Sequence, residues 1–236
     1  MVTPNPVLLS RGGAMAKLAR LLQKLDQKRL PVHITPAARL MFKTMAAALG
    51  GLNGLMLGQL LNPPLTDTVL NLLGEKGRVF DPLLHNSVNA TVLRGSDKIN
   101  VIPGRVSVEL DGRLLPGYKP DDIIAELHQI LGRDVELEVL RYDPDLAEPD
   151  MGLFDKLADI LNQLDSASIP VPLLLSGTSD ARFFSKLGIQ TYGFLPMNLP
   201  EDFNFSQTIH AADERIPIEA LEFGTNAIFE VLKRFD

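Results

Sequence analysis

Apolar residues at the start of the chain recur at helical spacing. Met15, Leu18, Leu21, Leu22 and Leu25 fall on one side of a helix predicted over 11–28, with charged residues opposite. Leu30-Pro31-Val32-His33-Ile34-Thr35 is short and bounded by prolines, which predicts an edge strand or an extended link. Thr35-Pro36 then places a capping side chain before a proline at the first helical position. Helices are predicted over 36–49, 52–61 and 65–74, and Gly74 and Gly77 end that block. From Asn86 the period shortens to that of a strand. Val88, Ala90 and Val92 alternate with polar residues, and Val106, Val108 and Leu110 resume the pattern after a turn at Asn100. Lys119-Pro120-Asp121-Asp122 opens a helix whose buried face is Ile123, Ile124, Leu127, Ile130 and Leu131. Val135 to Leu140 alternates strictly and predicts a half-exposed strand.

The run from Tyr142 to Asp150, rich in Pro, Asp and Glu, is the best linker in the chain. Beyond it the pattern predicts a helix over 151–164, a strand over 171–175, a helix over 178–187, a strand over 189–194 and a last helix over 217–234. Two units follow. The first, 1–142, is an α+β layer of helices on a small antiparallel sheet. The second is a partial α/β unit, because two short strands with three helices leave sheet edges bare.

Composition removes several function classes. The chain has 236 residues, a net charge of −6 and no cysteine. A nucleic-acid-binding surface is therefore not expected, and disulfide scaffolds, cysteine nucleophiles and thiolate metal sites are excluded. Met1 to Val7 has no basic region leading into an apolar core, so a signal peptide is not expected and a cytoplasmic location is. Leu40 to Leu61 approaches the roughly 20 apolar residues that span a bilayer. Lys43, Asn53, Gln59 and the glycines at 50, 51, 54 and 58 argue instead for a pair of helices broken near Gly50-Gly51, so neither a membrane span nor a membrane partner is expected.

Four places could carry chemistry. The amide of Asn100 both donates and accepts, which suits a bound carbonyl or carboxylate, and it equally suits holding a hairpin turn. Arg113, at a strand end, is by itself a surface residue. Gly177 and Thr178 begin a helix after 171–175, where backbone N–H groups can face an anion or a capping side chain can satisfy them. His210 sits in a short polar loop before the last helix.

Three of these stretches, Lys98-Ile99-Asn100-Val101-Ile102-Pro103, Ser176 to Arg182 and Thr208 to Ile218, together resemble the C-terminal half of an M20-family zinc peptidase or amidohydrolase. That family includes acetylornithine deacetylase, succinyl-diaminopimelate desuccinylase, aminoacylase and carnosinase-like dipeptidases. The resemblance runs from about Arg11, the start of the Arg-Gly-Gly-Ala-Met-Ala-Lys-Leu helix, to the end of the chain. It implies a ferredoxin-like lid over 1–142 with a helical insertion at 36–84, a linker at 143–150, and an incomplete zinc-exopeptidase-type α/β segment over 151–236. It assigns Asn100 and Arg113 to binding the substrate carbonyl and carboxylate, Gly177 and Thr178 to the pocket wall, and His210 to a zinc ion.

It also implies two zinc ions in the intact family, a homodimer formed through the lid, and a small peptide or N-acyl amino acid as substrate. The remaining metal ligands and the glutamate that acts as general base have no match here, and Asn5-Pro6 stands where a lid histidine is expected. The expectation is a truncated M20 metallohydrolase with no catalytic residue of its own, unable to hold zinc alone. The alternative is a non-catalytic dimerisation or substrate-binding module.

Overall fold

The computed structural model describes residues 12–143, 150–175 and 179–235. Among them, in chain order, lie α1 (Ala14–Gln27), α2 (Pro36–Leu49), α3 (Gly51–Gly58), α4 (Pro63–Leu73) and α5 (Glu75–Arg78). β1 (Ser87–Arg94), β2 (Ser107–Arg113), α6 (Pro120–Leu131) and α7 (Phe154–Leu164) follow, then α8 (Ala181–Ser185), α9 (Phe205–Thr208) and α10 (Ile218–Lys233). The chain divides into two compact units, Met1–Thr35 with Gln59–Pro144, and Pro36–Gly58 with Asp145–Asp236. The stretch 36–84, expected as one insertion, is shared between them.

The first unit is α+β. β1 and β2 form an antiparallel ladder from Ser87↔Arg113 to Arg94↔Ser107, with an irregularity between Ala90 and Val92. Its core is the stripe that α6 presents: Ile123, Leu127 and Leu131 cluster with Leu30, and Leu21 and Leu25 of α1 and Val88 and Leu110 of the hairpin pack against them. The start of α6 is fixed locally, since the Asp122 carboxylate accepts the Lys119 N–H at 2.7 Å and ties off a donor that the helix cannot use. The expected edge strand at 30–35 is reduced to a single bridge, Val32↔His85, beside a hydrogen bond from His33 N to Leu84 O at 2.7 Å. Prolines on both sides leave too little chain with free donors for a ladder.

Val135–Leu140 corrects another expectation. It is not part of a ladder among the described residues, yet over its first four residues alternation sorts burial: Val135 and Leu137 pack on the α6 cluster while Glu136 and Glu138 face out, and Val139 and Leu140 beyond them are both exposed. Period 2 reports which side chains turn inward, and a hydrogen-bonded partner is a separate requirement.

In the second unit the expected strands at 171–175 and 189–194 are likewise extended without ladder partners among the described residues, and α8 is shorter than the helix expected over 178–187. Packing here comes from helices. α7 buries Leu157 and Ile160, and α10 buries Ala220, Gly224 and Ala227. Gly224 lets α10 lie close to the extended chain, because a Cβ there would stand 2.6 Å from the Pro196 carbonyl oxygen. Lys156 Nζ donates to Arg234 O at 2.8 Å, joining α7 to the end of α10.

α2 and α3 turn at Gly50 and Gly51, whose φ angles of +58° and +53° lie in the left-handed region that glycine adopts without penalty. This is the break expected from the glycine pair. Close approach of the two helices depends on Gly54, where a Cβ would stand 2.2 Å from the Ala46 carbonyl oxygen. Gly54→Ala is expected to destabilise this unit by about 1–3 kcal/mol, as over-packing against backbone does. A urea unfolding series on both proteins measures it; a midpoint equal to that of the parent would contradict the close approach.

Candidate functional site

The hairpin positions two of the expected binding residues, and it separates them. The loop 95–106 leaves the ladder at the Arg94↔Ser107 end, whereas Arg113 pairs with Ser87 at the other end. Seven strand residues put about 20 Å between those ends. Asn100 is exposed in a turn in which Val101 N donates to Lys98 O at 3.2 Å. The loop lies near the start of α1, with Gly95 facing the Met15 methyl and Gly13 facing Ile102.

Arg113 is half-exposed, and its guanidinium donates from Nε and Nη2 to one oxygen of Asp111 at 3.2 and 3.1 Å. Both side chains lie at the surface, where such a pair contributes little to stability. The guanidinium is therefore held in place by a partner that a carboxylate ligand can displace.

His210 belongs to the second unit. It is exposed and follows α9 with φ +58°, the one non-glycine residue at positive φ among the described residues. An L-residue held in that region carries roughly 1–2 kcal/mol of strain, which marks a position where backbone geometry has been favoured over comfort. Gly177 and Thr178 lie outside the described residues. Among the described residues, no group of three His, Cys, Asp or Glu side chains is arranged to hold a metal ion. His210 alone offers one imidazole, and the donors among the described residues do not fit the two ions that the family resemblance implies.

The second unit also has a groove of about 310 Å³ lined by Leu153, Leu157, Phe194, Ile228 and Leu232, with Gln190 and Tyr192 as polar members. The Tyr192 hydroxyl donates to the Asp150 carbonyl and accepts the Leu153 N–H at 3.3 Å, so the start of α7 is tied to the extended segment. Of the expected site residues that are described, Asn100, Arg113 and His210, none lines this groove.

Two polar clusters in the first unit were not singled out from sequence. In one, the Glu126 carboxylate, 6% exposed, meets His33 Nε2 at 2.6 Å. Asn86 Nδ2 donates to both Glu126 oxygens at 3.0 and 3.2 Å, and Asn86 Oδ1 accepts the Leu115 N–H at 2.8 Å. The His33 ring also lies 4.2 Å from that of Tyr118. A signal was present: position 126 falls between Ile123 and Leu127 on the buried stripe of α6, where an acid needs a partner.

In the other cluster, the buried His85 ring stands between two carboxylates, with Nδ1 2.9 Å from Asp81 Oδ1 and Nε2 3.1 Å from Asp67 Oδ1. Arg29 Nε donates to Asp81 Oδ2 at 2.6 Å and Arg29 Nη1 to Asn71 Oδ1 at 2.8 Å. Burial alone would depress the His85 pKa, but hydrogen bonds to Asp81 and the charges of Asp81 and Asp67 outweigh it and raise the value. Burial alone would raise Asp81, and the hydrogen bonds and charges of His85 and Arg29 instead hold it below the usual carboxylate range.

An α+β unit with helices on an antiparallel hairpin, an exposed arginine at one hairpin end and an asparagine turn at the other, is the class these residues define. A family model described as a peptidase dimerisation domain matches residues 9–136. The chain belongs to the M20 family of peptidases and amidohydrolases. Among curated relatives, it is 27% identical over 184 residues to the human N-fatty-acyl-amino acid synthase/hydrolase PM20D1, covering 75% of this chain and 36% of the relative. It is 29% identical over 170 residues to succinyl-diaminopimelate desuccinylase of Hydrogenovibrio crunogenus, covering 69% of this chain and 41% of that protein. It is also 29% identical over 178 residues to the corresponding enzyme of Cupriavidus necator, covering 73% and 43%. The matches thus span about two fifths of these relatives' length. No solved structure matches the chain.

The His85 cluster has a pH signature. A raised histidine pKa contributes stability that is complete below about 6.5 and lost as pH rises through the folded value. A lowered Asp81 contributes stability present above 3.8 and lost as pH falls through its folded value. Thermal unfolding is expected to show a plateau between those limits and a decline on the alkaline side that His85→Asn removes; an identical alkaline slope in the variant would refute it.

Proposed function

We propose that this chain supplies the lid and the closing, histidine-bearing portion of a zinc-dependent amidohydrolase, and that it does not hydrolyse its substrate by itself. The bond attacked is an amide next to a free carboxylate, in an N-acyl amino acid or small peptide. The observation that carries this reading is the dimerisation-domain match over residues 9–136. Support for the substrate class comes from the relatives, whose names pair an acyl group with an amino acid or with diaminopimelate. In this reading the first unit is a ferredoxin-like lid and the residues after the 143–150 linker are part of a larger zinc-binding domain.

Arg113 takes the substrate carboxylate in exchange for Asp111, because a planar guanidinium can offer a carboxylate two parallel bonds that an ammonium cannot. Asn100 offers its amide to the scissile carbonyl, and Gly177 and Thr178 line the pocket. His210 is one ligand of a metal site whose other ligands, and whose general base, come from outside the described residues.

The hairpin geometry favours a homodimer in this scheme. A small substrate cannot reach across the roughly 20 Å of ladder between the Asn100 loop and Arg113 of one copy. A two-fold arrangement can instead bring Asn100 of one copy towards Arg113 of another. The dimerisation-domain match also favours a second reading, a non-catalytic module that pairs and binds ligand without chemistry.

The test uses the purified chain. Sedimentation equilibrium should give twice the 25.9 kDa chain mass. N-acyl amino acid hydrolysis should stay at background with added zinc, and Arg113→Ala should weaken N-acyl amino acid binding in calorimetry by at least about tenfold, the loss expected for a charged hydrogen bond. Zinc-dependent turnover or a monomeric mass overturns the proposal. Ligand binding without any restored turnover, once a zinc-binding M20 half is supplied, favours the module.

A further inference from the structure

Between Gln27 and Thr66 the chain contains Lys28, Arg29, Arg39 and Lys43 and no Asp or Glu, in a protein whose net charge is −6. Within this stretch α2 and α3 form a corner with two different sides. Ala38, Met41 and Phe42 of α2 and Leu57 of α3 are buried. Around the Gly50-Gly51 turn, in contrast, Leu49, Leu52 and Leu55 are 60%, 84% and 63% exposed. From Thr44 to Thr66 no charged residue breaks the apolar character of the corner. Three exposed leucines, with exposed Ala47, Ala48, Gly50 and Gly51 beside them in sequence, concentrate apolar side chains at a turn that folding does not require to be apolar.

Charge selects the occupant. Arg39 and Lys43 are both exposed and stand one turn apart on α2. Lys43 precedes Leu49 by six residues, so it sits about 9 Å back from the leucine end of the helix. An interfacial helix buries its apolar side about 5–10 Å into the headgroup–acyl boundary and keeps its cations at the headgroups. We propose that the α2–α3 corner is a peripheral docking surface for an anionic lipid membrane, with Leu49, Leu52 and Leu55 entering the interface and Arg39 and Lys43 meeting the headgroups.

This is contact from one side and not a crossing, since no helix of the described residues is long and apolar enough to span a bilayer. The proposal is independent of the hydrolase reading, because it uses none of Asn100, Arg113 or His210.

Vesicle flotation of the full chain tests it, with phosphatidylcholine vesicles either pure or containing phosphatidylserine. The parent chain should float with the anionic vesicles, and added salt should release it. Lys43→Ala should weaken that binding roughly fivefold, the effect of one basic residue near an anionic surface. The double substitution Leu52→Ser with Leu55→Ser should weaken it at least tenfold, given roughly 1.5–3 kcal/mol for each buried leucine. Both leucines are exposed, so circular dichroism and the unfolding midpoint should match those of the parent. A parent chain that stays out of both vesicle fractions overturns the proposal, as does equal flotation with neutral vesicles. So does a leucine variant that floats like the parent. If that variant instead changes the sedimentation mass while the parent does not float, the corner pairs with a second copy and the lipid assignment fails.

Discussion

One buried carboxylate constrains the first unit more than any apolar contact does. Removing Glu126 from water costs several kcal/mol unless its oxygens are matched, and here they are matched by groups far away in sequence. His33 comes from the link after α1, and Asn86 from the residue before β1. Through Asn86, the Leu115 N–H that follows β2 is drawn to the same point. A shift of any one of these segments relative to α6 leaves a charge or an amide unpaired in the interior. The apolar stripe of α6 decides that the helix packs; Glu126 decides in what register.

The legible part of the fold was the part set by local pattern. α2 begins and ends where the proline start and the glycine pair put it, and the stripe at 123, 127 and 131 is the core that was expected. What sequence could not supply was the partner for each extended run. Val135–Leu140 and the runs at 171–175 and 189–194 have strand composition, but pairing is a property of two segments, and alternation in one says nothing about the other. The two histidine clusters were hidden for a related reason. His33 and Glu126 are 93 residues apart, so the place of Glu126 on the α6 stripe called for a partner without saying which residue supplies it.

The candidate site divides along the same line. Residue types and local motifs singled out Asn100, Arg113 and His210, and the backbone shows each in an accessible, locally constrained setting: a turn, a strand end with a displaceable partner, a strained left-handed residue. Motifs carry no information on which end of a ladder a residue occupies. Only the register places Asn100's loop and Arg113 at opposite ends, and that separation is what favours two copies in the proposed scheme.

Val135–Leu140 has a further consequence. An extended run with Val135 and Leu137 turned inward, and no ladder partner among the described residues, offers its backbone donors and acceptors to any strand that arrives. Such edges are where unrelated copies adhere. Glu136 and Glu138 occupy the outward positions, and Glu136 also holds Arg105 at 3.5 Å. A second copy laid along this edge would bring like charges together, so these carboxylates act as gatekeepers against indiscriminate edge-to-edge growth.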